Sequence, residues 1–378
     1  MPIKILFLLS SYGAGGAERQ YFNLIHGIDK HEFDVHIGLI RYRQNRPSPT
    51  LLESLADVRV RMFDRNYRAD ISVVFDISRY ARENKIDIIQ SLLFMDNQIG
   101  RVAGLISGKS VITSIRGEPL PLLGKWNTWL EFKMQRLSKK IVVNSDWLKA
   151  TLVSQGSAAD KVVVIHNGTA AGNFQCQVDR EALRDKYGIP GRAVVIGIVA
   201  RLHPIKDHVT FFDAVKMVRA THSSVHAVIA GDGEMRTRLQ AYVKEIGIDD
   251  CVTFLGTVTN ELPEVYRIMD VFILTSLSES FPNVVLEAMS AGVPVVATNI
   301  SDVPSIISDG ENGYIVETRN PALVADRVVS LLSNPPLRDL FIKNGLARTE
   351  QFAVPAMVNK FQQLYTDVYR SEAQVSSS

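Results

Sequence analysis

Two glutamates, Glu279 and Glu287, bracket the segment Ser280-Phe281-Pro282-Asn283-Val284, a set of residue types suited to a ligand that carries both an anion and hydroxyls. Pro282 has a preset φ and no N–H, so it fits the first turn of a helix, and Gly292 fits the left-handed position just past its end. A short helix bounded by these residues is predicted. Its first turn would present the backbone N–H groups of Phe281, Asn283 and Val284 at the positive end of the helix dipole, a place for phosphate. Carboxylates repel phosphate but accept hydrogen bonds from hydroxyls, so acids on both sides of such a turn suit a ribose and a sugar flanking a diphosphate. Taken singly, either glutamate also fits an ordinary helix cap or a solvated helix acid.

A second element is Ala200-Arg201-Leu202-His203-Pro204-Ile205-Lys206-Asp207, after the apolar run Val194 to Val199. Arg201 and Lys206 share one predicted loop at the carboxyl end of a strand, where a guanidinium fork and an ammonium can reach one diphosphate. A third is the glycine loop Gly13-Ala14-Gly15-Gly16-Ala17-Glu18-Arg19, between a predicted strand and a helical pattern. As a dinucleotide fingerprint it is incomplete, because Glu18 replaces the third glycine and the second strand ends on Ile40-Arg41-Tyr42-Arg43 instead of an acid. Hydride transfer with NAD is thereby disfavoured. Gly231-Asp232-Gly233-Glu234-Met235-Arg236 carries turn chemistry common to many α/β proteins.

The elements that must position these segments repeat one pattern twice. Strands are predicted at Ile5 to Leu9, Phe33 to Ile40, Ile86 to Gln90, Val111 to Ile115 and Ile141 to Asn144, with a helix at Glu18 to Ile28 among the helical stretches between them. A second set follows at Val194 to Val199, Ala227 to Ala230, Val252 to Leu255, Val271 to Leu274 and Val293 to Ala297. Short β-branched runs separated by helices indicate two doubly wound parallel sheets, an α/β fold whose ligands bind at the carboxyl ends of the strands. The expected division is a first domain over 1–168, a linker over 169–190 and a second domain over 191–355. A C-terminal helix over 356–370 is expected to pack back on the first domain, and a polar tail over 371–378 to be disordered.

With 378 residues, 46% hydrophobic and 22% charged, the chain can bury two full cores. Net charge is +2, but residues 1–168 carry 23 lysines and arginines against 16 acids, while the remainder carries 19 against 24. Cys176 and Cys251 form no disulfide framework and no metal pattern. Met1-Pro2-Ile3-Lys4 leads straight into a strand, and no apolar run reaches membrane-spanning length, so the cytoplasm is the expected compartment. No nucleic-acid motif accompanies the basic residues.

The run from Glu279 to Glu287 resembles the acid-x7-acid motif of GT-B glycosyltransferases, in particular the retaining enzymes of glycosyltransferase family 4 (glycosyl transferases group 1). Arg201 and Lys206 resemble that family's R-x4-K pair, and Gly15, Gly16 and Glu18 its GGAE loop. Gly231 to Arg236 is similar to its GDGP-L-R turn, and Phe254-Leu255-Gly256 to a segment bordering the nucleobase. The resemblance implies two Rossmann-like domains facing a cleft, with the nucleotide sugar, expected to be a UDP-sugar, on the C-terminal one. It also implies that Glu287 binds ribose, Glu279 contacts donor-sugar hydroxyls, and Arg201 and Lys206 stabilise the leaving diphosphate in place of a metal ion. Gly15, Gly16 and Ser280 to Val284 would line the donor. The product would keep the donor's anomeric configuration, and the acceptor would be a glycan or a polyprenyl-diphosphate-linked sugar in surface polysaccharide assembly at the inner face of the plasma membrane.

Two departures bear on the acceptor and the donor sugar. Many family members carry a histidine where this chain reads Thr113-Ser114-Ile115-Arg116-Gly117-Glu118-Pro119; a guanidinium is always charged and is no general base. Arg116 reads either as a ligand for a donor or acceptor phosphate or as a solvated loop cation. The family's glycines near the donor sugar are replaced by Ser301-Asp302-Val303-Pro304-Ser305. Trp126, Trp129, Phe132 and Met134, interleaved with Lys125, Lys133, Arg136, Lys139 and Lys140, fit the core face of a helix or a helix lying on an anionic membrane. A nucleotide-sugar isomerase of the same plan and a non-catalytic nucleotide-sugar binder are the alternatives.

Overall fold

Apolar β-branched runs with no polar alternation need burial on both faces, and the chain supplies two sheets that give it. The computed structural model describes residues 2–10, 16–42, 58–65, 70–116, 124–258 and 260–377. They form two units, 1–168 with 354–378, and 169–353.

The first unit holds strands β1 (Ile3–Leu9), β2 (Phe33–Tyr42), β3 (Arg59–Arg65), β4 (Ile88–Leu92), β5 (Ser110–Ile115), β6 (Lys140–Val143) and β7 (Val162–Val164) in the order β3-β2-β1-β4-β5-β6-β7, all parallel. One face packs Ile5, Phe7 and Leu9 on Tyr21, Leu24, Phe361 and Tyr365, and the other packs Leu6 and Leu8 on Val73, Ile77 and Ile99. The second unit holds β8 (Val194–Val199), β9 (Val225–Ala230), β10 (Val252–Gly256), β11 (Val271–Leu274), β12 (Val295–Thr298) and β13 (Tyr314–Val316) in the order β10-β9-β8-β11-β12-β13, also parallel. Strand order reverses between β1 and β4 in one sheet and between β8 and β11 in the other. Connections leave such a pair toward opposite faces, so their carboxyl ends open into a crevice.

Three strands absent from the sequence reading, β3, β7 and β13, are all at or beside sheet edges. β3 carries the charged residues Arg59, Arg61, Asp64 and Arg65, as edge strands commonly do, and β7 and β13 span three residues each.

Residues 169–190 are not a linker. The Thr169 N–H donates to the Phe352 carbonyl (2.7 Å), a 3₁₀ turn runs over Ala171–Phe174 and a helix over Arg180–Lys186. Phe174, Leu183 and Ile189 pack into the second core, so their apolar contacts tie the segment to that unit. The unit boundary falls at 168/169 and again at 353/354. The C-terminal helix, Val354–Ser377, joins the first unit through Met357, Val358, Phe361, Leu364, Tyr365 and Val368. It continues through the expected disordered tail over 371–377, where Glu372 pairs with Lys139 (2.8 Å) and accepts from the Ser110 hydroxyl (3.0 Å). Charge pairing supplies an anchor that the tail's polar composition conceals.

Candidate functional site

The reversal between β8 and β11 brings the chain's two separate motifs together. The loop leaving β8 contains Arg201 and Lys206, and the loop leaving β11 contains Glu279. The Leu277 N–H donates to the Ile205 carbonyl (2.8 Å) and the Thr275 hydroxyl to the Lys206 carbonyl (2.9 Å), so backbone pins one loop to the other. Across this seam Lys206 Nζ donates to Glu279 Oε1 at 2.5 Å. The Ser276 hydroxyl donates to the same oxygen (2.8 Å), and the Glu279 N–H reaches Ser301 Oγ (3.3 Å). Both side chains are about four-fifths covered, with 20% and 15% exposure. An ammonium has three donors, so Lys206 can hold Glu279 and still present N–H groups to a phosphate.

Local sequence explains the loop's shape. Pro204 opens a 3₁₀ turn over Pro204–Lys206, His203 accepts from the Ile205 N–H (3.3 Å), and Asp207 takes a left-handed conformation (φ 47°) while receiving the Thr210 hydroxyl (2.6 Å). The glycine turn after β9 supports the loop from beneath. The Leu202 N–H donates to the Asp232 carbonyl (3.0 Å) and Met235 N–H to the Leu202 carbonyl (3.1 Å). Gly231 sits at φ 143° where a Cβ would come within 1.9 Å of the Ala200 carbonyl oxygen, so only glycine permits this approach. Arg201 is exposed and makes no side-chain hydrogen bond or ion pair among the described residues, leaving its fork available.

The helix expected to start at Pro282 covers Asn283–Ser290, with Pro282 just before it (φ −83°, ψ 76°) and no side-chain cap. Of the three amides expected to face an anion, that of Asn283 is engaged by the Phe281 carbonyl (3.0 Å). Pro282 is the centre of an inverse γ-turn (φ −83°, ψ 76°), which closes that bond and places the helix start at Asn283; the Phe281 ring is buried near Phe352, with ring centres 5.9 Å apart. Gly292 is left-handed (φ 72°), as its position beyond the helix requires. Ser280 and Val284 are half-buried on this turn, and Pro282 is buried. Glu287 accepts from the Tyr266 hydroxyl at 3.0 Å. Tyr266 lies inside an apolar helical pattern, Leu262–Ile268, so no sequence signal marks it as a partner.

In the first unit, Gly15 lies outside the described residues; Gly16 opens the helix Gly16–Gly27, and Glu18 lies in its first turn. Arg116 follows β5 and is not a solvated loop cation. It is 9% exposed, donates from Nη1 to Asn167 Oδ1 (2.5 Å) and lies 5.7 Å from the Tyr21 ring centre. Burial pushes its guanidinium below the usual range, opposed by the phenols of Tyr21 and Tyr365. At the β1/β4 reversal, Leu93 is held at φ 68°, ψ 166°, an uncommon conformation for a branched residue, and Asp96 accepts from the Ser10 N–H (3.1 Å). Neither was legible beforehand. The helix Lys125–Met134 does not turn its tryptophans to the core: Trp126 and Trp129 are 71% and 50% exposed and stack on each other at 5.1 Å.

The family model Glycosyltransferase Family 4 matches residues 14–171, and Glycosyl transferases group 1 matches residues 179–348. The chain belongs to the family 4 type of GT-B glycosyltransferases. The GT-B fold is shared with Anabaena HepE, solved in complex with UDP, at a TM-score of 0.85 and 21% identity over 97% of this chain and 100% of that one. The chain is 30% identical over 240 residues to a D-inositol 3-phosphate glycosyltransferase of Corynebacterium jeikeium, covering 60% of this chain and 57% of that protein. It is 24% identical over 314 residues to an Escherichia coli UDP-Gal:alpha-D-GlcNAc-diphosphoundecaprenol alpha-1,3-galactosyltransferase, covering 79% and 80%. The match to the Corynebacterium protein thus spans little more than half of that relative's length. Among the described residues no helix is long and apolar enough to cross a membrane.

Proposed function

We propose that this chain transfers a hexosyl or N-acetylhexosaminyl group from a UDP-sugar, with retention of anomeric configuration and without a metal ion, to a glycan or polyprenyl-diphosphate-linked acceptor in surface polysaccharide assembly. The observation that carries the reading is the Lys206–Glu279 pair at the strand reversal, with the exposed fork of Arg201 on the same loop. In the transfer, the acceptor hydroxyl oxygen bonds to the anomeric carbon while the bond from that carbon to the diphosphate breaks. The bond's electron pair moves onto the bridging phosphate oxygen, and the hydroxyl proton passes to the leaving phosphate. Fixed cations aimed at that oxygen lower the barrier, the part a metal ion plays elsewhere. Glu279, oriented by Lys206 and Ser276, receives hydrogen bonds from the donor sugar, and Glu287, oriented by Tyr266, from the ribose.

The names of the Corynebacterium and Escherichia relatives describe acceptors that bear a phosphate or a lipid diphosphate, which supports the acceptor class. The exposed Trp126–Trp129 stack beside Lys133 and Arg136 supports peripheral contact with an anionic bilayer at the cytoplasmic face. The test is a thermal-shift and calorimetric panel of nucleotide sugars in the presence and absence of EDTA. Selective stabilisation by one UDP-sugar, indifferent to EDTA, is the expected result; silence across the panel, or binding that EDTA abolishes, overturns the donor assignment or its metal independence respectively.

A further inference from the structure

The first unit contains two buried arginines whose surroundings differ in kind. Arg101 is fully enclosed, and all three guanidinium nitrogens are engaged. Nη1 and Nη2 grip Glu131 at 2.9 and 2.6 Å, Nε donates to Ser138 Oγ (2.9 Å), and Nη2 also reaches Thr113 Oγ1 (3.3 Å). This is how a structural guanidinium is buried, with its charge and its donors answered from within. Among the described residues Arg116 has one hydrogen bond, from Nη1 to Asn167. Among them, too, its Nε and Nη2 are enclosed without a hydrogen-bond partner, and no carboxylate acts on it. The Tyr21 ring 5.7 Å away offsets only a fraction of the desolvation. The Tyr365 hydroxyl, near enough to act electrostatically on Arg116, is likewise buried and has no hydrogen-bond partner among the described residues.

Nε–H and Nη2–H lie side by side on one edge of a guanidinium, the spacing that matches two oxygens of a phosphate. Arg116 is the first residue past β5, on the carboxyl edge where a doubly wound sheet receives ligands. The cations assigned to the donor diphosphate, Arg201 and Lys206, belong to the other unit. We propose that Arg116 is the receptor for a phosphate borne by the acceptor, an inference that rests on the transferase reading and assigns the acceptor its chemical class. That phosphate belongs either to a lipid-linked diphosphate or to a water-soluble sugar phosphate, since both offer the same pair of oxygens.

The experiment titrates inorganic pyrophosphate calorimetrically into wild type, Arg116→Gln and Arg116→Lys, each saturated with UDP so that the donor cations are occupied. Wild type is expected to bind, Arg116→Gln to bind about tenfold or more weakly, and Arg116→Lys to fall between, because it keeps the charge and loses the fork. Absence of binding to UDP-saturated wild type, or equal affinity in Arg116→Gln, overturns the proposal. Failure of the donor reading shows separately, as no UDP binding by wild type; the same comparison of wild type with Arg116→Gln, made without UDP, then decides. Melting temperature guards against a merely structural role. Removing an uncompensated buried charge leaves Arg116→Gln melting no lower than wild type, whereas a lower melting temperature with unchanged pyrophosphate affinity marks a structural arginine and overturns the assignment. Displacement of pyrophosphate from wild type by farnesyl diphosphate identifies a lipid-linked source, and displacement by glucose 1-phosphate a soluble one.

Discussion

Lys206 Nζ and Glu279 Oε1 meet at 2.5 Å across the seam where the second sheet reverses its strand order. The residues are separated in sequence by three of that sheet's six strands, yet each is the cation or the acid of its own motif. Their contact means that neither is positioned alone: the lysine fixes the carboxylate proposed to meet the sugar, and the carboxylate fixes the ammonium proposed to meet the phosphate.

Replacing either partner should therefore cost more than one contact. Lys206→Ala is expected to lower turnover by about 10²–10³-fold, the scale for losing a positioned charge at a developing oxyanion. Glu279→Ala is expected to lower turnover while UDP stays bound with little change, since its proposed ligand is the sugar. The double variant should lose much less than the product of the two single losses, because both disrupt one unit. Steady-state kinetics on the four proteins checks this; strictly multiplicative losses would show the pair to be incidental.

Glu287 should behave differently. Glu287→Ala is expected to weaken UDP binding, and Tyr266→Phe to weaken it by a smaller step of about 1 kcal/mol, the net value of one hydrogen bond that orients the carboxylate. Calorimetry with UDP and with uracil diphosphate analogues lacking the ribose hydroxyls separates the roles. If Glu287 does not serve the ribose, those analogues will lose no more affinity in wild type than in Glu287→Ala.

The pairing of Arg101 with Glu131 ties the Lys125–Met134 helix to the first core and fixes where its two tryptophans stand. Glu131→Ala leaves a buried guanidinium unanswered and should destabilise the unit by about 3–5 kcal/mol. Trp126→Ala with Trp129→Ala, by contrast, removes exposed rings and should leave the melting temperature nearly unchanged while weakening sedimentation with phosphatidylserine vesicles. Equal vesicle binding by wild type and the double variant would remove the membrane from the proposal.

What the sequence revealed divides by the range of the interaction. The doubly wound pattern was legible because parallel strands buried on both faces leave unbroken apolar runs such as Val194 to Val199. The loops carrying Arg201, Lys206 and Glu279 were legible because they follow such runs. Their meeting was not, since it depends on strand order, and no local signal says that β8 and β11 are neighbours. The same holds for Tyr266 beneath Glu287 and for Asn167, Tyr21 and Tyr365 around Arg116, all brought in by long-range packing. Pro282 has the right chemistry for a first helical turn, but it centres an inverse γ-turn, so the helix begins one residue later, at Asn283.

His208 makes stability depend on pH. It is the first residue of the helix His208–Arg219, 2% exposed, with Nε2 lacking a hydrogen-bond partner among the described residues. Burial, reinforced by the charge of Lys206, pushes its pKa down to about 4. The unfolded chain takes up this proton near the ordinary value of about 6.5, whereas the folded chain resists until about 4. Protonation consequently favours the unfolded state between those values, and stability falls as the pH drops through that window. The loss from this residue should be about 2 kcal/mol at pH 5 and about 3 kcal/mol once pH 4 is passed. Urea unfolding at pH 7.5 and pH 5, for wild type and His208→Leu, tests the assignment: the variant should lose about 2 kcal/mol less than wild type between the two conditions. An identical loss in both proteins would place the acid sensitivity elsewhere, because a leucine cannot take up the proton that the buried imidazole excludes.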